Sequence, residues 1–465
     1  MRITDIQRCE IRPGRLVEWV LRPVVAGTAT GAQEDARPPA YLQESHVRTA
    51  RTLRDDGLFV PTWLGVAFDL PGVVDLDVLQ EALRVWTLRH ETLRSGFHWE
   101  NEEMRRFTLA AEDVALHRED VGEFTDPDVL AQHLQDRFDV AADTLTWPNF
   151  IYAAVVREES TSVYLAFDHS NVDAYSMYRV PAELHELYAA GLEGRTLDRS
   201  PIASYVDFCA TERADADEVE ADHPVVDRWR RFVARCDGRM PNFPFDLGLE
   251  PGGPLPTQKS LHEMLVGDTD AAAFERHCRP HGGTLVGLLA ATALIMREMT
   301  GDDVYRTVVP FHTRAKSRWS DSVGWYVGGV PVELPIGAAD FDDLMCAAQA
   351  ELRASRPASR VPVARVLRLL GDDFRPTSPD LYSIVSFVDA RMTPGSERWR
   401  DMKAYGLIRV SYGDQVCVWV TRLHEGLQFA CRYPDNDVAY KNIRLYVDRL
   451  RDMIVSVARQ ELVTR

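Results

Sequence analysis

Apolar and polar positions along this chain mark out two successive runs of strand-like and helix-like segments. In the first run, Leu79, Leu83 and Trp86 recur at helical spacing behind Asp77, a residue type able to cap a helix start. The unbroken apolar run Val163-Tyr164-Leu165-Ala166-Phe167 predicts a buried strand, and Val180, Leu184 and Leu187 return to helical spacing beyond it. The second run restarts with a strand over Leu261 to Val266. A helix is predicted from Thr284 to Met299, entered through Gly282-Gly283, and strands from Val304 to Phe311 and from Trp325 to Leu334. Val416 to Val420 is apolar on both faces and should be a central strand. His424-Glu425-Gly426 turns it into residues 427–433, whose apolar and polar positions alternate. Ile443, Val447, Leu450, Ile454 and Val457 form the apolar stripe of a closing helix.

Between these runs the composition shifts. Residues 21 to 40 are rich in Ala, Gly, Thr and Pro and predict a surface loop. Residues 211 to 222 are dominated by Asp, Glu and Ala, and Met240 to Pro256 is loaded with Pro and Gly. Those stretches divide the chain into an N-terminal half, 1–210, a connecting segment, 211–260, and a C-terminal half, 261–465. A chain of 465 residues is too long for one ordinary core, which agrees with that division. The mixture of strands and helices in each half places the fold in the α/β (α+β) class.

Composition narrows the function classes. Hydrophobic content of 45% and charged content of 27% are those of a soluble globular protein. No run of about 18 apolar residues exists to span a membrane. The first residues lack a signal-peptide core, and a cytoplasmic protein is expected. Seven scattered cysteines without a Cys-x-x-Cys pair point to free thiols and away from a structural zinc site. A net charge of −18 argues against a nucleic-acid partner. Arg228, Arg230, Arg231 and Arg235 are a candidate basic patch for an acidic partner, or else a solvated helix face.

The most informative chemistry lies just after the buried strand, in Asp168-His169-Ser170-Asn171-Val172-Asp173-Ala174. A histidine leaving a buried strand, with a carboxylate four residues later, can hold an imidazole at a cleft as a general base. Alone, the same pattern also describes a strand end with a solvated histidine. A metal site would need a third ligand motif beside His169 and Asp173, and the sequence offers none.

Other blocks give the motif its context. Upstream stands Leu88-Arg89-His90-Glu91-Thr92-Leu93-Arg94-Ser95-Gly96-Phe97. Downstream come Ser204-Tyr205-Val206-Asp207-Phe208, then Thr313-Arg314, Val323-Gly324-Trp325-Tyr326-Val327 and Val330-Pro331-Val332-Glu333-Leu334-Pro335. In this order they resemble the condensation-domain superfamily, whose signature is His-His-x-x-x-Asp-Gly, across roughly residues 39 to 435. The resemblance implies two chloramphenicol-acetyltransferase-like subdomains in a V-shaped pseudo-dimer, with a central tunnel entered by two substrates. It implies His169 as the catalytic base and an architectural, partly buried ion pair between Asp173 and Arg314 that ties the two halves around His169. Asp168 replaces the first motif histidine, which is structural in relatives; it can hydrogen-bond locally or raise the proton affinity of His169. Ala174 replaces the motif glycine, so no positive φ is expected there. Ser386 lies where relatives place a small polar residue near the tunnel, as an oxyanion donor or a solvent-facing serine. Trp419 is a possible substrate contact or, more often for such a residue, core.

Residues 240–245, 323–329 and 433–436 most resemble the polyketide-associated acyltransferases, and ester-forming condensation enzymes of enediyne pathways are similar. The implied activity is that of a stand-alone enzyme passing an acyl or aminoacyl group from a carrier-protein thioester to a small-molecule alcohol in specialised-metabolite assembly. A lipid O-acyltransferase using acyl-CoA or synthase-bound chains, an amide-forming condensation enzyme, and a catalytically silent docking module are the alternatives. No cofactor is implied beyond the phosphopantetheine arm of an acyl or peptidyl carrier protein, or coenzyme A, arriving with the donor.

Overall fold

A computed structural model describes residues 1–23, 32–196, 202–250, 252–314, 317–376 and 383–463. The chain forms two compact units, neither continuous in sequence. The first comprises Met1–Asp217, Arg314–Tyr326 and Met392–Arg409; the second comprises Glu218–Thr313, Val327–Arg391 and Val410–Arg465. This differs from the continuous halves read from the sequence, because two late stretches fold with the early one. Tyr405–Ile408 is a strand between Arg2–Thr4, which it pairs in parallel, and Leu64–Pro71, which it pairs antiparallel. The expected connector is also partly regular: helix Tyr205–Asp217 runs through its start, and helix Pro224–Ala234 buries Val225, Val226, Trp229, Phe232 and Val233.

The first unit is built on a seven-stranded sheet. Its order is Arg2–Thr4, Tyr405–Ile408, Leu64–Pro71, Ser160–Phe167, Phe150–Val156, Gly14–Pro23 and Val114–Phe124. Ser160–Phe167 is the middle strand, buried from Thr161 to Phe167, with Leu64 and Phe150 beside Phe167. Both faces are covered. Ile151, Ala153, Val155, Tyr164 and Ala166 share a cluster with Leu130, Leu134 and Phe138 of helix Pro127–Ala141. On the other face Trp86 of helix Leu76–Arg89 meets Tyr152 and Phe167. A strand covered on both faces has no solvent side for polar residues, hence the unbroken apolar run. The cap of helix Leu76–Arg89 is Asp75, whose carboxylate accepts from the Asp77 and Val78 N–H groups; Asp77 lies in the first turn. The loop expected over 21–40 is also corrected. Strand Gly14–Pro23 continues to Pro23 against Val114, and Ala32–Asp35 pairs with Glu103–Leu109, while 24–31 lie outside the described residues.

The second unit carries a six-stranded sheet in the order Gln258–Gly267, Gly426–Pro434, Cys417–Leu423, Ile384–Asp389, Val304–His312 and Val327–Pro335. Cys417–Leu423 is internal, as its two apolar faces predict. Gly426–Pro434 is internal too, and even Gln428 is buried, so its alternation records residue type rather than exposure. Gly426 has φ +143°, and a Cβ there would come within 2.1 Å of the Val266 carbonyl oxygen, so only glycine fits the turn. Helix Thr284–Thr300 is buried along almost its whole length. Both units combine helices with mixed sheets, the α+β class expected.

Candidate active site

The 168–173 motif is a strand–turn–helix junction in which each carboxylate caps the helical turn on its C-terminal side. Asp168 caps the one-turn helix His169–Asn171 by accepting from the Ser170 N–H at 2.9 Å. Asp173 caps helix Ala174–Leu192 by accepting from the Ser176 N–H at 2.7 Å. Ala174 starts that helix with an ordinary negative φ, as its replacement of glycine predicts. Buried amides clamp the turn between the caps. Gln43 Nε2 donates to the Ser170 carbonyl at 2.8 Å, Asn171 Nδ2 to Asn149 Oδ1 at 2.7 Å, and Thr92 Oγ1 to Asn171 Oδ1 at 2.9 Å. Satisfied buried networks of this kind hold one conformation.

His169, partly exposed, stands on this turn. Its Nδ1 lies 2.9 Å from the Val172 carbonyl, an acceptor only, so Nδ1 carries the proton and Nε2 the lone pair. Nε2 has no hydrogen-bond partner among the described residues. Trp325 stacks on the ring with centroids 4.1 Å apart and planes at 29°. Burial, then the nearby charge of His46, pulls the imidazole down to about 4, against the opposing pull of Asp168 and the bond to Val172. At neutral pH the ring is therefore an uncharged base. Asp168 both hydrogen-bonds locally and raises the proton affinity of His169, the two roles expected of it, but burial and His46 outweigh the second.

Asp168 is fully buried. Thr144 Oγ1 donates to its Oδ2 at 2.6 Å, and His46 Nε2 to the same oxygen at 3.1 Å. Burial favours the neutral acid, but His46 and the hydrogen bonds from Ser170 and Thr144 win and hold the carboxyl at about 2.

Asp173 meets Arg314 through a two-pronged ion pair, Nη1 to Oδ2 at 2.5 Å and Nη2 to Oδ1 at 3.1 Å. Both side chains are about 95% buried. The Tyr326 N–H donates to Asp173 Oδ2 at 3.0 Å, and Arg314 lies 4.1 Å over the Tyr326 ring. Burial raises the Asp173 carboxyl, yet the Arg314 charge and the hydrogen bonds leave it lowered. The pair was expected to tie two halves together; it lies wholly within the first unit, because Arg314–Tyr326 folds there. The same segment is pinned at consecutive backbone groups. The Val323 N–H donates to His90 Nδ1 at 3.4 Å, the Gly324 N–H to Ser176 Oγ at 3.1 Å, and Tyr205 Oη to the Trp325 carbonyl at 3.0 Å. His90 Nε2 in turn donates to Glu183 at 3.2 Å.

Ser386 and Trp419 lie in the second unit, directly opposite each other on neighbouring strands and both half-buried. Trp419 is thus not core, although its strand otherwise is. The arginines 228, 230, 231 and 235 do not form a free basic patch, since they pair with Glu351, Asp373, Asp227 and Glu333 respectively. Among the described residues no cluster of three or more His, Cys, Asp or Glu side chains is arranged to hold a metal ion, and no single helix is long and apolar enough to cross a membrane.

Sequence reasoning missed His46, Thr144 and the stacking role of Trp325. His46 lies three residues after Gln43, so both sit on one helix face. Polar residues at that spacing on an otherwise buried face were the available signal.

The condensation-domain family profile matches residues 63–454. The trehalose-2-sulfate acyltransferase PapA2 of Mycobacterium tuberculosis is 27% identical over 471 residues, spanning 99% of this chain and 98% of that protein. The 2'-acyl-2-O-sulfo-trehalose (hydroxy)phthioceranyltransferase PapA1 of the same species is 27% identical over 475 residues, 98% of this chain and 90% of that one. A solved PapA2 acyl transferase superposes with a TM-score of 0.91 at 26% identity, covering 98% of this chain and 100% of that chain. SgcC5 from Streptomyces globisporus gives 0.65 at 17% identity over 90% of this chain and 98% of that chain, a likeness of fold alone.

Proposed function

The chain belongs to the condensation-domain family, and from that premise we propose that this acyltransferase moves an acyl group from a thioester to a hydroxyl with His169 as general base. The observation that carries the reading is the imidazole itself, neutral, with its Nδ1 proton committed to the Val172 carbonyl and Nε2 unpartnered among the described residues. Nε2 takes the proton of the acceptor hydroxyl as its oxygen attacks the thioester carbonyl carbon. The tetrahedral adduct collapses, the C–S bond breaks, and the proton passes from Nε2 to the departing thiolate. One C–O bond replaces one C–S bond with no change in oxidation state. Base catalysis of this type contributes ~10²–10⁴-fold, the remainder coming from orientation and charge stabilisation.

The relatives that align with the whole chain are named for acyl transfer to sulfated trehalose derivatives, which supports a carbohydrate hydroxyl as acceptor. The donor in this reading is a thioester on a phosphopantetheine arm, of coenzyme A or of a carrier protein. Transfer of a carrier-tethered acyl or aminoacyl unit to a small alcohol in specialised-metabolite assembly uses the same chemistry and is separated by the same assay. The protein is incubated with acyl-CoA and acyl-carrier thioesters, each with trehalose, an aryl alcohol or an amine, and products are read by mass spectrometry. Ester formation on the sugar is expected. Amide products alone would overturn the ester reading. His169→Ala should remain folded and lose at least about 10²-fold in turnover; retention of more than about a tenth would remove His169 as the base.

A further inference from the structure

Position 168 lacks the imidazole of the family signature, yet an imidazole stands beside it. His46, on helix Tyr41–Asp55, reaches Asp168 Oδ2 from 122 residues away in sequence. Its ring meets Trp325 edge-on, with centroids 5.4 Å apart and planes at 90°, and Trp325 stacks on His169. His46 and His169 are themselves 6.4 Å apart, too far for a direct bond. Three residues earlier on the same helix, Gln43 grips the Ser170 carbonyl. One helix therefore holds the 168–170 turn at two points. The same helix also presses on the aromatic ring that covers the base, while the Trp325 backbone is fixed by Tyr205 at its carbonyl and by Ser176 at the preceding Gly324 N–H.

We propose that His46 is a positioning residue for His169, fixing the plane and tautomer of that ring through Asp168 on one side and Trp325 on the other. The inference rests on His169 being the base. A simpler role for His46, that it only satisfies the buried Asp168 carboxylate, gives a different pattern of variants. Removing both partners together would then restore activity, because no unpaired group would remain.

The test uses the full chain with His46→Ala, His46→Gln and the double variant His46→Ala/Asp168→Asn. One readout is kcat and KM with the donor and acceptor that prove active in the thioester and acceptor assay. The other is ¹⁵N NMR of the His169 imidazole, which needs no substrate. His46→Ala and the double variant should each lose about tenfold in kcat with KM within about twofold, a fraction of the ~10²-fold that a 1 Å misplacement can cost. The His169 signal should change from a single Nδ1–H tautomer to an average of two. An unchanged tautomer signal in His46→Ala, or wild-type kcat in the double variant, would overturn the proposal while leaving His169 as base. If His46→Ala does not fold, His46→Gln decides by the same readouts. It keeps a donor toward Asp168 and loses the ring edge against Trp325, so an unchanged signal and kcat again overturn the proposal. A fully active His169→Ala would bring down the base assignment itself.

Discussion

Asp168 and Asp173 stand five residues apart, are both buried, and both cap a helical turn. Their partners differ. Asp173 is held by a guanidinium that stays charged at any accessible pH, by Ser176 and by the Tyr326 N–H. Asp168 has a hydroxyl, one backbone N–H and the His46 imidazole. The far end of the loop is thus fixed by a two-pronged ion pair, while the end next to His169 is held by single hydrogen bonds from a hydroxyl, a backbone N–H and a ring. Architecture and tuning are assigned to different carboxylates of one motif.

The largest way to break this comparison is at the fixed end. Arg314→Met or Asp173→Asn should each destabilise the fold by roughly 3–5 kcal/mol, because either leaves a buried charge or polar group without its partner. The double variant should cost much less than the sum. Urea unfolding of the four proteins completes the cycle. Additive losses would mean that the pair is not a unit, and the contrast with Asp168 would collapse. Activity should fall in both single variants, since His169 hangs between the two anchors.

A smaller effect is expected at the tunable end. Asp168→Asn keeps an acceptor for the Ser170 N–H and loses the charge facing His46, so about 1–3 kcal/mol is expected at neutral pH, with an activity loss milder than that of His169→Ala. The sign of the shift sets the pH window. The folded carboxyl sits at about 2, below its ordinary 3.8. Its stabilising contribution is complete above pH 3.8 and fades as pH falls toward 2. The stability gap between wild type and Asp168→Asn should narrow over that window. A gap independent of pH would show that the charge contributes nothing.

How much was legible in the sequence depends on how each interaction is encoded. The strand ending at Phe167 and the helix beyond Asp173 could be read because period and apolar content report burial within one element. Arg314 could be read only through its family block, since nothing local to either residue marks a partner 141 positions away. His46 had no family block, only its helical spacing from Gln43, and its partner Asp168 departs from the family pattern. Trp325 stands between Gly324 and Tyr326 in a block read for its order along the chain, and nothing local marks its ring for His169, so the stacking was hidden although its neighbours were recognised. The discontinuous units escaped for a topological reason. A four-residue strand such as Tyr405–Ile408 carries too little pattern to announce that its neighbours are Arg2–Thr4 and Leu64–Pro71.

The smallest expected effect sharpens the comparison most, because it separates the two carboxylates by charge rather than by stability. His169 is drawn down to about 4 from an ordinary 6.5, first by burial and next by the charge of His46, with Asp168 pulling the other way. A base must be unprotonated, so the acidic limb of kcat/KM, which reports the free enzyme, should lie near pH 4 rather than 6.5. Linkage has the matching sign. Between pH 6.5 and 4 the unfolded chain binds a proton at this histidine that the native ring refuses, so stability is lost as pH falls through that interval. Asp168→Asn removes the opposing negative charge and should move the kinetic limb further down. Asp173→Asn should leave the limb nearly in place even as turnover drops, since neither Asp173 nor Arg314 is among the main causes of the His169 shift. Profiles of kcat/KM for the three proteins from about pH 3.5 to 8 make the check, in buffers of constant ionic strength. A wild-type limb at or above 6.5, or an upward move in Asp168→Asn, would sink the assignment of tuning to this end of the motif.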